Sequence, residues 1–217
     1  MYTGKVSVAG PADVRELGTL IISKIAVGPM ENNCYLLRCP RTGEQVMIDA
    51  AAEPRRLLDM IGDDSVSAVI TTHAHRDHWA NALPEVVAAT GAATYAHPAD
   101  AVMIDVPTTH LVSQGDVIPV GVASLEVIHL IGHTPGSIAL MFDDPEGPPH
   151  LFTGDCLFPG GVGRTTSPEA FSSLFSGVVD KIFDVLPDET WVYPGHGDDT
   201  TVGRERPHLS EWAERGW

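Results

Sequence analysis

Thr72-His73-Ala74-His75-Arg76-Asp77-His78 places three imidazoles and a carboxylate within six residues. The stretch follows Ala68-Val69-Ile70-Thr71, an apolar and β-branched run that predicts a buried strand. Imidazole and carboxylate groups are the nitrogen and oxygen donors that suit zinc and neighbouring first-row metals. A histidine-rich surface loop is the ordinary alternative, but clustering of this kind is uncommon by chance. The stretch therefore predicts a metal site at the end of a strand, with donors that can face two adjacent metals.

Three more donors occur downstream, each beside a glycine and just past a predicted strand. They stand in Gly132-His133-Thr134, in Thr153-Gly154-Asp155 and in Pro194-Gly195-His196. Loops that follow strands bring side chains to a common point at a sheet edge. Each motif alone indicates no more than a turn, but the set predicts one shared site.

The order His-x-His-x-Asp-His, Gly-His-Thr, Thr-Gly-Asp and Pro-Gly-His resembles the metallo-β-lactamase superfamily, and more closely its glyoxalase II-like branch. The similarity runs from the strand motif at residues 32–36 to His196. It implies an α/β protein with the four-layer αββα sandwich of that superfamily. It also implies seven metal ligands: His73, His75 and His133 for the first metal, Asp77, His78 and His196 for the second, and Asp155 as the bridge.

The reaction that the resemblance implies is metal-assisted hydrolysis. Two divalent cations, with zinc expected and iron or manganese compatible with the same donors, would lower the pKa of a shared water toward about 7. Asp77 is the expected catalytic residue, because it can orient the hydroxide and accept its proton. A thioester suits this site, since a thiol with a pKa of about 8.5 can leave as thiolate without a dedicated acid. We therefore expect a small-molecule thioester, or a similar ester, as substrate.

Two other activities remain open at this stage. Persulfide dioxygenases resemble glyoxalase II and hold one iron through two histidines and an aspartate, which here could be His73, His133 and Asp155. A lactonase-type ester hydrolase would carry out the same reaction on a different acyl compound. The complete second ligand set favours hydrolysis over the one-iron reaction, and a metal sensor without catalysis is the least favoured reading.

Two segments depart from the glyoxalase II pattern. Gly160-Gly161-Val162-Gly163-Arg164 keeps the glycines and arginine of the family loop but has valine where cysteine is common. Arg164 could anchor that loop or bind a substrate carboxylate. Only residues 198–217 follow the last motif, so we expect one domain over residues 1–217, without the separate C-terminal helical domain that recognises glutathione.

Composition bears on the partners and the compartment. The formal net charge is −16, with 29 acidic residues against 13 basic ones, which argues against nucleic acid as a substrate. The apolar run at residues 20–27 is too short to span a membrane. The three cysteines and an N-terminus without an apolar core predict a cytoplasmic protein, and Cys156 is expected to pack in the core. The sequence predicts no oligomeric state.

The spacing of apolar residues predicts the strands and helices of the chain. Strands are predicted at residues 5–8, 20–27, 34–37, 45–48, 68–71, 125–130, 138–142, 151–153 and 191–193. Helices are predicted at residues 53–60, 78–89 and 168–185, the last with an apolar stripe at helical spacing. Ordinary structural or solvated roles are expected for the other histidines, of which His97 could stand nearest the cleft: His97, His110, His129, His150 and His208.

Overall fold

A computed structural model describes residues 2–216 and contains two mixed β-sheets. The strands are β1 (Asp13–Glu16), β2 (Ile21–Val27), β3 (Asn32–Arg38), β4 (Gln45–Ile48), β5 (Val66–Ile70), β6 (Ala93–Ala96), β7 (His110–Leu111), β8 (Val117–Val120), β9 (Ala123–His129), β10 (Ile138–Phe142), β11 (His150–Gly154), β12 (Leu157–Phe158), β13 (Gly161–Val162), β14 (Trp191–Pro194) and β15 (Thr200–Thr201). The first sheet has the order β1-β2-β3-β4-β5-β6-β7, and the second has the order β15-β14-β11-β10-β9-β8. Strands β12 and β13 form a separate hairpin.

The helices are short and connect or cover these sheets. They are α1 (Pro54–Ile61), α2 (Leu83–Thr90), α3 (Pro98–Ala101), α4 (Pro168–Val178), α5 (Val202–Glu205) and α6 (Leu209–Arg215). Single 3-10 turns occur at Arg76–His78 and Arg206–His208, and a π-helical turn at Val179–Phe183 extends α4. None of the helices within residues 2–216 combines the length and the apolar character needed to cross a membrane.

Three apolar clusters define four layers. Between the sheets, side chains such as Ile48 and Ile70 from the first sheet meet Leu140 and Phe152 from the second. Alternate residues of the same strands point outward, as the two-residue period of a strand requires. On the outer face of the first sheet they bury Leu57 of α1, with Leu83 and Val86 of α2.

The second sheet is covered in the same way by α4 and α6. Leu174 and Val178 of α4 and Trp212 of α6 pack against Leu151 and Val192 of the sheet. The layers are thus helix, sheet, sheet, helix, which is the αββα sandwich expected from the sequence.

The strands predicted at residues 45–48 and 138–142 are confirmed with the same bounds. Two other predictions are wrong. Residues 5–8 do not form a strand, because only Val8 forms an isolated bridge, with Ala26. The helix predicted at residues 78–89 begins only at Leu83, since residues 76–78 form a 3-10 turn and the Trp79 indole N–H donates to the Ala74 carbonyl.

The apolar stripe of residues 168–185 is confirmed as core, with Leu174, Val178, Ile182 and Phe183 buried. Cys156 is fully buried in the same outer cluster, as expected. The three cysteines are free thiols.

Candidate metal centre

The donors predicted from sequence meet at one edge of the two facing sheets. His73 to His78 follow β5, His133 follows β9, Asp155 follows β11 and His196 follows β14. Strand β5 runs parallel to β4, and β11 runs parallel to β14, so the carboxyl ends of each pair lie at the same edge. Parallel pairing therefore brings residues that are far apart in the chain to one point.

The donors predicted from sequence form two groups around that point, and a third possible group joins Asp49 to His73 and His78. The first is His73, His75 and His133, and the second is Asp77, His78 and His196. Within each group the candidate ligand atoms all lie within 4.8 Å of one another, and each group could hold a metal ion. These are the two sets that the family resemblance implied.

Asp155 lies between the two groups. Its Oδ2 is 3.5 Å from His133 Nε2 and 3.9 Å from His73 Nε2, both in the first group. It is also 3.6 Å from His196 Nε2, and Oδ1 is 3.5 Å from His78 Nε2. These separations exceed those of good hydrogen bonds but place one carboxylate beside both groups.

Three atoms at this point are buried without a hydrogen-bond partner: His73 Nε2, His133 Nε2 and Asp155 Oδ1. Buried polar atoms are normally paired, because an unpaired one costs about 1–3 kcal/mol. Three such atoms facing one another are what a cation site requires, since each offers a lone pair.

The outer ring nitrogens fix the tautomers. His133 Nδ1 donates to the Arg164 carbonyl at 2.8 Å, and His196 Nδ1 donates to the Met30 carbonyl at 2.9 Å. A carbonyl can only accept, so in the neutral ring the proton is on Nδ1 and the Nε2 lone pair faces the site. Partners of this kind orient histidine ligands in metal sites.

The charge states also suit a cation. Burial lowers the pKa of His73 well below its ordinary value, which leaves the ring neutral. Burial opposes the charged form of Asp155, but the neighbouring charge of His78 and the His196 ring, whose Nε2 is 3.6 Å away, hold the Asp155 pKa well below its usual range. Neutral imidazole and ionised carboxylate are the forms that bind metals.

The second group holds protons more tightly. Burial opposes charge on His78, but the carboxylates of Asp155 and Asp49 outweigh it and raise the His78 pKa to about 10. Burial also opposes charge on His196, but the carboxylates of Asp155 and Asp77, at 3.6 and 3.5 Å from His196 Nε2, raise the His196 pKa to about 9. A cation at this group would therefore displace protons, and its affinity would fall as the pH falls.

A model of the metallo-beta-lactamase superfamily matches residues 27–196, a range that contains every donor described above. The chain belongs to this superfamily. It is 34% identical over 180 residues to a hydroxyacylglutathione hydrolase of Polaromonas, with 82% of this chain and 66% of that enzyme covered.

Two solved structures are similar to this metallo-beta-lactamase domain. One is ETHE1 from Myxococcus xanthus, with a TM-score of 0.75 and 29% identity over 87% of this chain and 82% of that chain. The other is TTHA1623, solved in a di-iron-bound form, with a TM-score of 0.69 and 33% identity over 84% of this chain and 96% of that chain. The superfamily binds divalent metals, and the convergent donors of this chain agree with that property.

Asp49 supports both groups of this metallo-beta-lactamase site, although the sequence analysis missed it. It is buried directly after β4, and its Oδ2 accepts from His78 Nδ1 at 2.9 Å and from the Thr72 hydroxyl at 2.8 Å. The Thr72 hydroxyl donates its only proton to Asp49. The Thr72 oxygen therefore accepts from His73 Nδ1, at 3.0 Å. Asp49 thereby sets the tautomer of one histidine directly and of the other through Thr72. Asp49 could have been found from the sequence, because it is a carboxylate directly after a strand, as Asp155 is in His-Leu-Phe-Thr-Gly-Asp155.

Asp100 is a second buried carboxylate that the sequence analysis missed. It accepts from Ala74 N at 2.8 Å, from the Thr134 hydroxyl at 2.5 Å and from Gly136 N at 2.7 Å. Ala74 lies between His73 and His75, and Thr134 follows His133. One carboxylate therefore joins the two loops that carry the first group, and nothing in the short Pro98–Ala101 segment signals this in the sequence.

The loop that carries His196 is held by three buried side chains. Lys24 Nζ donates to the Gly197 carbonyl at 2.8 Å, and Asn33 Nδ2 donates to the Pro194 and Gly197 carbonyls at 2.9 Å. The Tyr35 hydroxyl also donates to the Pro194 carbonyl, at 2.6 Å. Side chains of the first sheet thus position His196, a candidate ligand that follows strand β14 of the second sheet.

Gly195 is required by close packing. A Cβ at this position would overlap Asp155 Oδ1 and lie 2.8 Å from His78 Cε1. The glycine of Pro-Gly-His therefore lets the β14 loop approach the central carboxylate.

The structure also shows the surroundings of Arg164 and His97, for which the sequence left a role near the cleft open. The exposed Arg164 lines a cavity together with His75 and His133. His97 is not part of either donor group. Its ring stacks on His129 at 3.8 Å between centroids, and its Nδ1 accepts from Ala99 N, which caps α3. The structural role expected for His97 is confirmed.

Replacing Asp100 should destabilise the fold strongly. Asp100→Ala leaves two backbone N–H groups and one hydroxyl buried without their acceptor, so we expect the free energy of unfolding to fall by about 3 kcal/mol or more. Asp100→Asn keeps one acceptor oxygen and should lie between the alanine variant and the parent protein. Urea unfolding followed by circular dichroism measures the change, and Asp63→Ala, at an exposed turn, is the matched control. An Asp100→Ala midpoint equal to that of the control would contradict the role given to Asp100.

Proposed function

We propose that this protein is a dinuclear metal-dependent hydrolase that cleaves a thioester of a small thiol or a similar ester. The observation that carries the proposal is the position of Asp155, within 3.5–3.9 Å of ring nitrogens in both donor groups. One carboxylate between two complete groups supports a bridged pair of cations rather than a single ion.

The proposed ligand assignment is the one that the family resemblance implies, and the convergence of the two groups supports it. His73, His75 and His133 would hold the first metal, Asp77, His78 and His196 the second, and Asp155 would bridge them. Zinc is the first expectation for these nitrogen and oxygen donors, and iron or manganese would fit the same set. When bound, two such cations supply a hydroxide nucleophile near neutral pH and polarise the substrate carbonyl.

Asp77 is the proposed catalytic residue of the chain. Its Oδ2 accepts from Asn32 Nδ2 at 2.8 Å, while 31% of the side chain is exposed at the cleft. The His196 ring, whose Nε2 lies 3.5 Å from Oδ2, holds the Asp77 pKa well below its usual range, so the carboxylate is ionised. Asp77 Oδ1 takes no part in these bonds and is the atom we assign to orient the nucleophile and accept its proton.

The exposed guanidinium of Arg164 supplies a positive charge beside this centre. It lines the same cavity as His75 and His133, in an otherwise acidic protein. A guanidinium recognises carboxylates by paired hydrogen bonds, so Arg164 is proposed to bind an acidic group of the substrate. A thiolate leaving group needs no protonation by an acid, which fits a cleft whose carboxylates are ionised.

A one-iron persulfide dioxygenase is the second candidate. The structural similarity to ETHE1 of Myxococcus xanthus favours it, and His73, His133 and Asp155 would then be the iron ligands. Against it, Asp77, His78 and His196 also converge, and a one-iron site has no use for this second group.

Metal content and reaction type test the proposal together. Protein purified without chelators should carry about two metal ions per chain, because two complete donor groups are present. It should release thiol from S-acetyl-N-acetylcysteamine without consuming oxygen. Elemental mass spectrometry, a thiol-trapping assay and an oxygen electrode measure the three quantities. A single tightly bound iron with oxygen uptake on a persulfide would replace the proposal with the second candidate.

The bridge and the proton acceptor should respond differently to substitution. Asp155→Ala should lower the occupancy of both metals, whereas Asp77→Ala should lower only one, and each should reduce kcat/KM at least about a hundredfold. Metal analysis beside steady-state kinetics separates the two effects. Asp63→Ala again serves as the control and should keep both metals. Two metals retained in Asp155→Ala would show that the bridge is misassigned.

Glutathione should contribute little to substrate recognition. Residues 200–215 form the short β15, α5, the 3-10 turn and α6, and Val202 and Trp212 are buried against the second sheet, so they do not build a separate helical domain. We therefore expect S-lactoylglutathione to be turned over at least about tenfold less efficiently than small activated thioesters, because residues 200–215 form no helical domain whose contacts could position the glutathionyl group. A panel of thioesters and lactones at equal concentration measures this. Efficient, saturable hydrolysis of S-lactoylglutathione would refute the expectation, and turnover of lactones alone would favour the ester hydrolase.

A further inference from the structure

Two cavities adjoin at His75 and His133. One, of about 460 Å³, is lined by these histidines with Arg164, Thr165 and Thr166. The other, of about 410 Å³, runs from the same histidines to an apolar wall, which we call the apolar groove: Met103, Ile131, Pro135 and Ala170. The donor site thus has a charged side and an apolar side.

The apolar groove exposes side chains that the fold could have buried. Met103 is 47% exposed and Ile131 is 50% exposed, although the neighbouring Leu130 is completely buried. Exposed apolar groups that gather beside a polar site commonly mark a place where a ligand binds. Because Met103 and Ile131 come from different segments, their meeting beside the metal site is a feature of the tertiary structure.

Both walls of the apolar groove are fixed to the donor loops. Asp100, in α3 just before Met103, binds Ala74 N and Gly136 N on the two loops of the first group. Gly132, which separates Ile131 from His133, packs so closely on α4 that a Cβ there would lie 2.6 Å from Leu174 Cβ. The apolar wall and the donor atoms therefore keep a constant relative position, as a substrate subsite requires.

We infer that the apolar groove binds a hydrocarbon arm of the substrate while the bond to be cleaved lies at the donor site. This inference rests on the proposed hydrolase function and narrows its substrate class to acyl compounds with an alkyl chain of several carbons. A volume of about 410 Å³, against about 30 Å³ per molecule of liquid water, accommodates such a chain. The alkyl chain can belong to the acyl group or to the thiol, and the two sources are separable by experiment.

Two homologous series test the inference in the metal-loaded protein. The first lengthens the acyl group from acetyl to octanoyl on N-acetylcysteamine, and the second lengthens an alkyl thiol on a constant acetyl group. We expect kcat/KM to rise about threefold to fourfold for each of the first added methylenes in one of the series, as burial of a methylene predicts. The series that shows the rise identifies the arm that the apolar groove holds.

Variants of the groove link the chain-length effect to its residues. The quantity to compare is kcat/KM for the hexanoyl substrate divided by kcat/KM for the acetyl substrate, or the corresponding ratio in the alkyl thiol series. Ile131→Ser and Met103→Ser should each lower this ratio by at least about threefold, and the double variant should lower it further. Val185→Ser removes an apolar side chain that is 67% exposed away from this groove, and it should leave the ratio unchanged. Ala170→Phe, which fills the groove instead of opening it, should reduce turnover of the long substrates most.

A binding measurement gives a readout that does not depend on turnover. In methionine-methyl NMR spectra, a non-hydrolysable S-hexyl thioether should shift the Met103 signal, identified by its loss in Met103→Leu, and leave the signal of Met60 in α1 in place. Hydrolysis of acetyl thioesters with no chain-length dependence in either series would overturn the inference and leave the proposed function standing. An undiminished ratio in the double variant would overturn it as well. Absence of any thioester hydrolysis would instead remove the proposed function on which the inference rests.

Discussion

The carboxylate of Asp155 among the imidazoles of His73, His78, His133 and His196 is the arrangement that the rest of the structure maintains. A buried carboxylate with an unpaired oxygen and two unpaired imidazole nitrogens are unfavourable in a folded protein unless a cation compensates them. The chain holds these atoms together by placing each at the carboxyl end of a strand. The two sheets share an apolar core directly beneath, so the ends of their strands cannot separate without exposing that core.

Two further carboxylates, Asp49 and Asp100, position the donor histidines. Asp49 fixes His78 directly and His73 through the Thr72 hydroxyl, and Asp100 ties the loop of His73 and His75 to the loop of His133. Lys24, Asn33 and Tyr35 then hold the backbone around His196. Four of the histidine donors therefore have a partner that sets the direction of the ring: His73, His78, His133 and His196. Their geometry is a property of hydrogen bonds rather than of flexible loops.

The cleft above this centre is asymmetric, and this asymmetry bears on function. Arg164 lines one cavity at His75 and His133, and Met103 with Ile131 lines another cavity that adjoins it. A net charge of −16 would repel an anionic substrate at long range, so the local guanidinium matters more here than it would in a basic protein.

The amino-acid sequence by itself determined the class of fold and predicted which residues are candidate metal donors. His-x-His-x-Asp-His after an apolar run, with later donors beside glycine, was sufficient because metal ligands must be specific residue types and because strands ending in glycine-rich turns are recognisable locally. Strands such as β4 and β10 were equally visible in their apolar runs. Other strands were not visible, although they are as long as β4: β1 reads Asp-Val-Arg-Glu, the apolar run of β6 is interrupted by Thr94, and β8 contains Pro119, which argues against a strand. The expected helix at residue 78 gave way to the 3-10 turn that places Asp77 and His78.

Only the tertiary structure decided what surrounds the donors. Asp49 and Asp100 look like ordinary turn or helix residues, since their role depends on backbone N–H groups and side chains contributed by distant segments. The apolar groove arises in the same way, because exposure of Met103 and Ile131 follows from how α3 and α4 pack on the donor loops. Which residues can bind a metal depends on their side-chain chemistry, so a short sequence motif is enough to indicate them. The orientation of those side chains and the access of substrate to them depend on contacts between segments that only the folded chain brings together.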